Sequence, residues 1–398
     1  MKAILTGGAG FIGYHLTQRL LSDGYKVICI DNLSTGSLSN VETHLENKNY
    51  QFIQAPAQDL SLYTDSLLKD ATVLFNLAAS VGVQNIFDNP IECIENNIDI
   101  AKTVLNVAKK NNLRTFMFST SEVYGKTQKF PFSEEDDCTF GSYKSLRWGY
   151  AASKLIDDYL SRSYFENFNT PVTTIRLFNT IGVKQVGSYG MVVPRFFDKA
   201  LNNKPIEVYG SGHQSRCFTD VRDVIESIML LINNKKSYGE LVNIGSSTEI
   251  TILDLAVKIK KLTNSSSEII SKSYEDAYGQ GFEDIQRRVP NAEKLFSLTN
   301  FRPNPVIVEN NVLTNRDSNS WMFDNKSSTS NNSQARICTF NYSSSSSSSS
   351  SSTITLLLSS FSVFTFANNF KVLICIVEYD GACPSSDFPL GGPTRRLL

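Results

Sequence analysis

Tyr150 and Lys154 stand four residues apart in Trp148-Gly149-Tyr150-Ala151-Ala152-Ser153-Lys154, so a helix there would set both on one face, about one turn apart. A lysine ammonium beside a phenol favours the phenolate and would lower its pKa from ~10 toward the working range. Such a tyrosine can act as a general base. The spacing by itself equally suits a core tyrosine next to a solvated lysine. A second group tips the balance: Phe116-Met117-Phe118 runs into Ser119-Thr120-Ser121-Glu122-Val123-Tyr124-Gly125, which puts hydroxyls and one carboxylate just past an apolar strand. Open parallel sheets bind ligands at that end of their strands.

A third group lies near the start of the chain. Thr6-Gly7-Gly8-Ala9-Gly10-Phe11-Ile12-Gly13 separates an apolar strand from a helical segment. Gly7 and Gly10 permit a tight turn and close approach of backbone to a pyrophosphate, and Gly13 lets the helix lie against the strand. The helix N-terminus then offers amide groups and positive dipole to the anion. Asp31 ends Val27-Ile28-Cys29-Ile30-Asp31, eighteen residues past Gly13, where a carboxylate can accept from the adenosine ribose hydroxyls. It would repel a 2′-phosphate, which favours NAD over NADP. Asp59 follows a strand expected over residues 50–53 and suits either the adenine amine or a surface turn. Asn76-Leu77-Ala78-Ala79 closes a fourth strand with small residues, as expected where backbone edges a cofactor. Phe11, Ile12, Asn32 and Asn97 complete the expected cofactor set.

These groups need a scaffold, and the hydrophobic pattern supplies one. β-branched and apolar runs at residues 27–30, 73–77, 115–119 and 172–176 alternate with segments of helical period up to about residue 305. That alternation reads as βαβ units feeding a parallel sheet. Over residues 98–109, Ile98, Ala101, Val104, Leu105 and Ala108 recur at steps of three and four and would form one buried stripe. Residues 148–165 form a second expected helix. The expected class is α/β: a Rossmann-like doubly wound parallel sheet in residues 1–180, interleaved with a smaller mixed α/β lobe in residues 181–305.

Composition narrows the functional classes. The chain has 398 residues, 41% apolar and 19% charged, enough for a full enzyme core. Its 38 Lys and Arg against 39 Asp and Glu give no electrostatic reason to expect nucleic acid as a partner. Seven cysteines without a C-x-x-C pair and three scattered histidines leave little material for a disulfide framework or a metal site. Met1-Lys2 runs directly into Ala3-Ile4-Leu5, so no signal peptide is expected and a cytoplasmic setting fits. Beyond residue 305, Asn, Ser and Thr dominate, followed by ten serines from Ser343 to Ser352. Residues 306–398 are expected to be a disordered, low-complexity tail. Its apolar stretch offers only 13 residues from Ile354 to Phe366, three of them serine, short of a membrane span.

The turn T-G-G-A-G-F-I-G and the runs S-T-S-E-V-Y-G and R-W-G-Y-A-A-S-K resemble the extended short-chain dehydrogenase/reductase family, the NAD-dependent sugar epimerases and dehydratases. R-L-F-N-T from Arg176, Y-G-M-V-V-P-R-F from Tyr189, V-Y-G-S-G from Val208, S-R-C-F-T-D from Ser215 and N-I-G from Asn243 agree in order, so the resemblance covers about residues 1–305. It implies that Tyr150 is the base, that Lys154 holds the nicotinamide ribose, and that Thr120 or Ser121 bonds the sugar. Asn179 and Arg216 match positions that grip the nucleotide diphosphate, with Arg195 a further candidate; a guanidinium fork suits phosphate. Arg176, within a strand, is expected to be structural.

The resemblance also implies a shared first step. The sugar's 4-hydroxyl is oxidised to a ketone, after which an epimerase returns hydride to the other face, a 4,6-dehydratase eliminates water, and a decarboxylase lets a uronic acid lose carbon dioxide. Glu122 resembles the acidic residue of UDP-glucuronate decarboxylases, and F-E-D-I-Q-R-R-V-P from Phe282 resembles their arginine segment, with Arg288 aligned to the residue that meets the carboxylate side of the substrate. Decarboxylation of UDP-glucuronate to UDP-xylose or its 4-keto pentose is therefore favoured. A UDP-hexose 4-epimerase, a dehydratase and a catalytically idle NAD-binding scaffold are the alternatives. A homodimer through helices at residues 90–110 and 148–167 is implied as well. The helix that usually follows the family's F-R-P stretch is not recognisable in residues 306–320.

Overall fold

The computed structural model describes residues 1–304 apart from 64–66, 82, 188–189 and 279–282, the backbone alone at 83–85, and the backbone of four strands beyond residue 335. Residues 306–320, residues 343–351 of the serine run, and Tyr189 and Phe282 of the quoted motifs lie outside the described residues.

Alternating short apolar runs and helices give the expected parallel sheet. Its strands β1 (Lys2–Thr6), β2 (Lys26–Asp31), β3 (Tyr50–Gln54), β4 (Val73–Asn76), β5 (Arg114–Thr120) and β6 (Val172–Leu177) are joined by Leu241–Ile244, and their spatial order is Leu241–Ile244, β6, β5, β4, β1, β2, β3. The order reverses at β1, whose Thr6 lies opposite Ile30 of β2 and Asn76 of β4. A crevice forms outside the strand ends where such a sheet reverses. In-register pairing brings the ends of β1, β2, β4 and β5 to that one edge.

Helices cover both faces. Leu16 and Leu20 of α1 (Phe11–Ser22) share a core with Val224, Ile228 and Leu231 of the helix Val221–Ile232 and with Leu5, Phe75 and Phe116 of the sheet. On the other face the helix Pro90–Asn111 buries Ala101, Val104, Leu105 and Ala108, as its stripe predicts, while Ile98 is half-buried. The helix begins eight residues earlier than the stripe indicates. Pro90 at its first position has no N–H to leave unsatisfied, and the left-handed Asn112 stops it. The second expected helix is Arg147–Phe168.

A separate cluster of Ile181, Val193, Phe196, Phe197, Ile206, Val208, Leu255 and Ile259 forms the core of the smaller lobe. Val221–Ile232, Leu241–Ile244 and Leu295 come late in the chain yet belong to the core of the main sheet, so the two parts are interleaved. Arg176 is structural, as expected: it is buried, pairs with Asp158 at 3.0 Å and lies over the Tyr124 ring.

The chain divides into two compact units, Met1–Asn325 and Lys326–Leu398. In the second, Arg336–Tyr342, Ser352–Leu358, Phe361–Val363 and Ile376–Glu378 pair antiparallel in that order. The expectation of disorder in the tail otherwise falls on residues outside those described. β-branched and apolar residues from Thr353 to Leu358 suit an extended chain. Among the described residues no helix is long and apolar enough to cross a membrane.

Candidate active site

The glycine turn closes against the end of β4. Gly7 has φ +74°, and a Cβ built there would lie 2.5 Å from the Ala78 amide nitrogen; one on Gly13 would lie 2.6 Å from the Gly7 carbonyl. Both positions therefore need glycine. Asp31 accepts from the Ala9 amide at 2.9 Å and the Leu33 amide at 2.8 Å, and burial pushes its carboxyl up. It thus fastens the turn to β2, a role its position in the sequence did not disclose. Each carboxylate oxygen has a second lone pair, so ribose hydroxyls can still be accepted. Asn32 is exposed and accepts from the Ser34 amide.

Phe11 and Ile12 are half-buried in the first turn of α1, and Leu77, Ala78 and Ala79 line the rim after β4. Asn97 is buried; it accepts from the Ser80 amide at 2.8 Å and donates to the Ser153 hydroxyl at 3.1 Å, tying that rim to the Tyr150 helix. Asp59 is half-buried in the short helix Ala57–Tyr63. A turn in which Gly7 and Gly13 admit no side chain and a carboxylate at the end of β2 fit NAD. Gly7→Ala is expected to weaken NAD binding by about tenfold or more. Gly10→Ala, whose added carbon would meet only the Gly7 carbonyl at 3.3 Å, should cost less; calorimetry with NAD compares the two.

The helix Arg147–Phe168 presents Tyr150 and Lys154 one turn apart, as the spacing predicts. Tyr150 shares a hydrogen bond with Thr120, and Thr120 accepts from the Glu122 amide at 3.2 Å. Of the two candidate hydroxyls, Thr120 is thus the one beside the phenol, whereas Ser121 is buried in the turn. One expectation needs correcting. Lys154 does not make the phenol acidic in this structure: burial, followed by the Glu122 carboxylate, the neighbouring Cys93 sulfur and the Asp157 carboxylate, pushes the Tyr150 pKa up, and Lys154 gives its ammonium to Asp157 at 2.7 Å.

Glu122 is held from both sides. Its Oε1 lies 2.6 Å from Arg288 and its Oε2 2.8 Å from Arg147. Burial alone would raise its carboxyl, but Arg147 and then Arg288 overcome that and hold it down at about 2. Arg147 also reaches Asp284 at 3.1 Å, and Asp284 takes Arg216 through both oxygens at 3.0 and 2.9 Å and the Tyr274 hydroxyl at 2.8 Å. Asp284 is likewise held down at about 2, by Arg216 and Arg147 against its burial.

Three arginines and two carboxylates therefore form one continuous network from the phenol to Arg216. Arg147 opens R-W-G-Y and Asp284 lies in F-E-D-I, yet neither run signals this pairing. Their partners stand up to 137 residues away, which is why no local pattern revealed them. Asn179 donates to the Cys217 carbonyl at 3.0 Å, next to Arg216. Arg195 stacks on Tyr209, 3.9 Å from the ring centre, and donates to the Glu207 carbonyl.

The sequence matches the model of the NAD dependent epimerase/dehydratase family over residues 3–245. A UDP-N-acetyl-alpha-D-glucosaminuronate decarboxylase of Bacillus cytotoxicus is 38% identical over 304 residues, covering 76% of this chain and 93% of that one. UDP-glucuronic acid decarboxylase 1 of Xenopus tropicalis is 32% identical, over 76% of this chain and 68% of its own. Among solved structures, the UDP-glucuronic acid 4-epimerase of Bacillus cereus, in complex with UDP-glucuronic acid and NAD, superposes with TM-score 0.67 at 29% identity, over 76% of this chain and 94% of that one. A chain with this strand order and this glycine turn, matched to the family across most of its described length, belongs to the NAD-dependent epimerase/dehydratase family.

Proposed function

We propose that the protein is an NAD-dependent decarboxylase of a UDP-linked hexuronate, with UDP-glucuronate as the first substrate to test and UDP-xylose or its 4-keto pentose as product. The observation that carries this reading is Glu122, clamped by Arg147 and Arg288 and close enough to raise the Tyr150 pKa. An arginine beside the reacting edge suits a substrate that bears a carboxylate there. Both decarboxylase relatives act on hexuronates by name.

In this reading Tyr150, hydrogen-bonded to Thr120, takes the proton of the sugar's 4-hydroxyl. NAD, when bound, supplies the hydride acceptor and later the donor. The C4 ketone makes the carboxylate on C5 that of a β-keto acid, whose C–C bond breaks with its electron pair passing to the ketone oxygen. Thr120 and the phenol stand where that oxygen develops charge. Arg288 orients the carboxylate, and Asn179 and Arg216 take the diphosphate.

Incubation with UDP-glucuronate, UDP-N-acetylglucosaminuronate, UDP-glucose and UDP-N-acetylglucosamine, followed by product mass, tests this. A uronate that loses the mass of carbon dioxide is the expected result. Unchanged mass with an inverted C4 would instead establish the epimerase, and loss of water the dehydratase. A homodimer is part of the same proposal: the helices Pro90–Asn111 and Arg147–Phe168 leave Ile91, Ile156, Tyr159 and Phe168 exposed. A cytoplasmic setting agrees with the four described cysteines, Cys29, Cys93, Cys138 and Cys217, which are all free thiols.

A further inference from the structure

Two consecutive aspartates, Asp157 and Asp158, are buried in the helix that carries Tyr150, at 2% and 6% exposure. Buried carboxylates are costly unless paired, and each has its own cation. Asp158 pairs with Arg176 of β6, a contact that ties helix to sheet. Asp157 pairs with Lys154, one turn back on its own helix, so it ties no two elements together. Its Oδ2 lies 2.7 Å from the ammonium, Lys154 is itself 2% exposed, and its Oδ1 has no hydrogen-bond partner. A charge in so costly a place, spent on the lysine beside the base, calls for a reason in the chemistry.

We propose that Asp157 is a positioning residue: it holds the Lys154 ammonium in place and offsets its charge, and so sets the pH at which Tyr150 becomes a base. This rests on the reading of Tyr150 as the proton acceptor. The surroundings of the phenol show why one more negative charge matters. Glu122 approaches from the turn after β5, itself gripped by Arg147 and Arg288. Cys93 approaches from the helix Pro90–Asn111, and Thr120 of β5 supplies a hydroxyl. Arg176 of β6 is taken by Asp158, and the helix Val83–Asp88 carries its one charge at its last residue. Lys154 is the ammonium on the phenol's own helix face, and Asp157 neutralises it. With Asp157 in place, the lysine acts as a fixed hydrogen-bond donor toward the cofactor ribose more than as a source of field.

Asp157→Asn keeps the size of the side chain and an acceptor for the ammonium while removing the charge. Two measurements test it. One is the pH dependence of kcat in the NAD-loaded enzyme. The other needs neither substrate nor cofactor: the tyrosinate absorbance of each protein minus that of its Tyr150→Phe counterpart, followed against pH. In Asp157→Asn both the acid limb and the tyrosinate transition are expected to move down by about one pH unit. Asp157→Glu should return them toward the wild-type pH, and Asp157→Ser, which also removes the charge, should move them the same way as Asn.

An unmoved limb, or one that moves up because the lysine discharges instead, overturns the proposal. Near wild-type turnover in Tyr150→Phe would sink the base assignment and this inference with it. An inactive Tyr150→Phe together with an unmoved limb in Asp157→Asn sinks only the role of Asp157.

Discussion

Tyr150→Phe is expected to lower turnover of the UDP-hexuronate by about 10³-fold or more while leaving NAD affinity close to that of the parent enzyme. The substitution deletes one oxygen and leaves the ring. Ala151, Ser153 and Lys154 remain packed in the helix Arg147–Phe168, so the fold should not register the change. What disappears is the hydroxyl that is hydrogen-bonded to Thr120 and that takes the proton in the proposed reaction. The raised pKa of the phenol sharpens the expectation, because a base that is hard to deprotonate should give a rate that climbs with pH until the phenolate is reached. Single-turnover kinetics in the variant, with NAD binding measured by calorimetry on the same preparation, separates lost chemistry from lost binding. Turnover near that of the parent would show that the proton leaves by another route.

Much of this site could be read from local pattern. Residues that act through their neighbours in sequence, such as Gly7, Gly13 and Asp31 around one turn or Tyr150 and Lys154 on one helical face, announce themselves because chain geometry fixes their relation. The network behind Glu122 is different. Arg147 meets Glu283 and Asp284 only because the segment before Arg288 folds back alongside the strand Ser215–Cys217, and no spacing encodes that return.

Burial was the other blind spot. Asp157 reads as an ordinary polar residue of a helix, and only its depth shows that it must answer to Lys154. Arg114 makes the same point far from the crevice. At the start of β5 it looks like a solvated end, yet it is buried between the Phe116 and Tyr238 rings. It donates to Ile232 and Pro171 carbonyls and to the Thr173 and Ser237 hydroxyls, and burial pushes it down to about 9. A cation at the end of the helix Val221–Ile232 also meets the negative pole of that helix. The error about the Tyr150 phenol has this origin too: the spacing placed the ammonium correctly, but Glu122 comes from the turn after β5 and Cys93 from the helix Pro90–Asn111, and only burial shows that Asp157, three residues along, takes the ammonium.

Glu122→Gln should lower turnover by about 10²–10³-fold, with NAD binding unchanged. Glutamine keeps the shape and one acceptor oxygen, so one of Arg147 and Arg288 keeps its hydrogen bond and only the other is left facing an NH2 group. Alanine would be a poorer choice, because stripping the partner from buried guanidiniums costs about 3–5 kcal/mol and confounds activity with folding. With its carboxyl held at about 2, Glu122 is an anion throughout any working pH, so it does not serve as the proton donor in this arrangement. In the proposed reaction its work is electrostatic and geometric: it holds Arg288 in place and braces Arg147, which also reaches Asp284. The amide oxygen can accept from only one of the two guanidiniums while its NH2 group faces the other, so the clamp on Arg288 and Arg147 opens, and in the proposed reaction the loss should fall on kcat more than on KM. Glu122→Asp, which restores the charge on a shorter arm, should recover part of the rate. If Glu122→Gln turns over as fast as the parent, the carboxylate plays no part in the reaction, and the case for a uronate substrate loses the observation on which it stands.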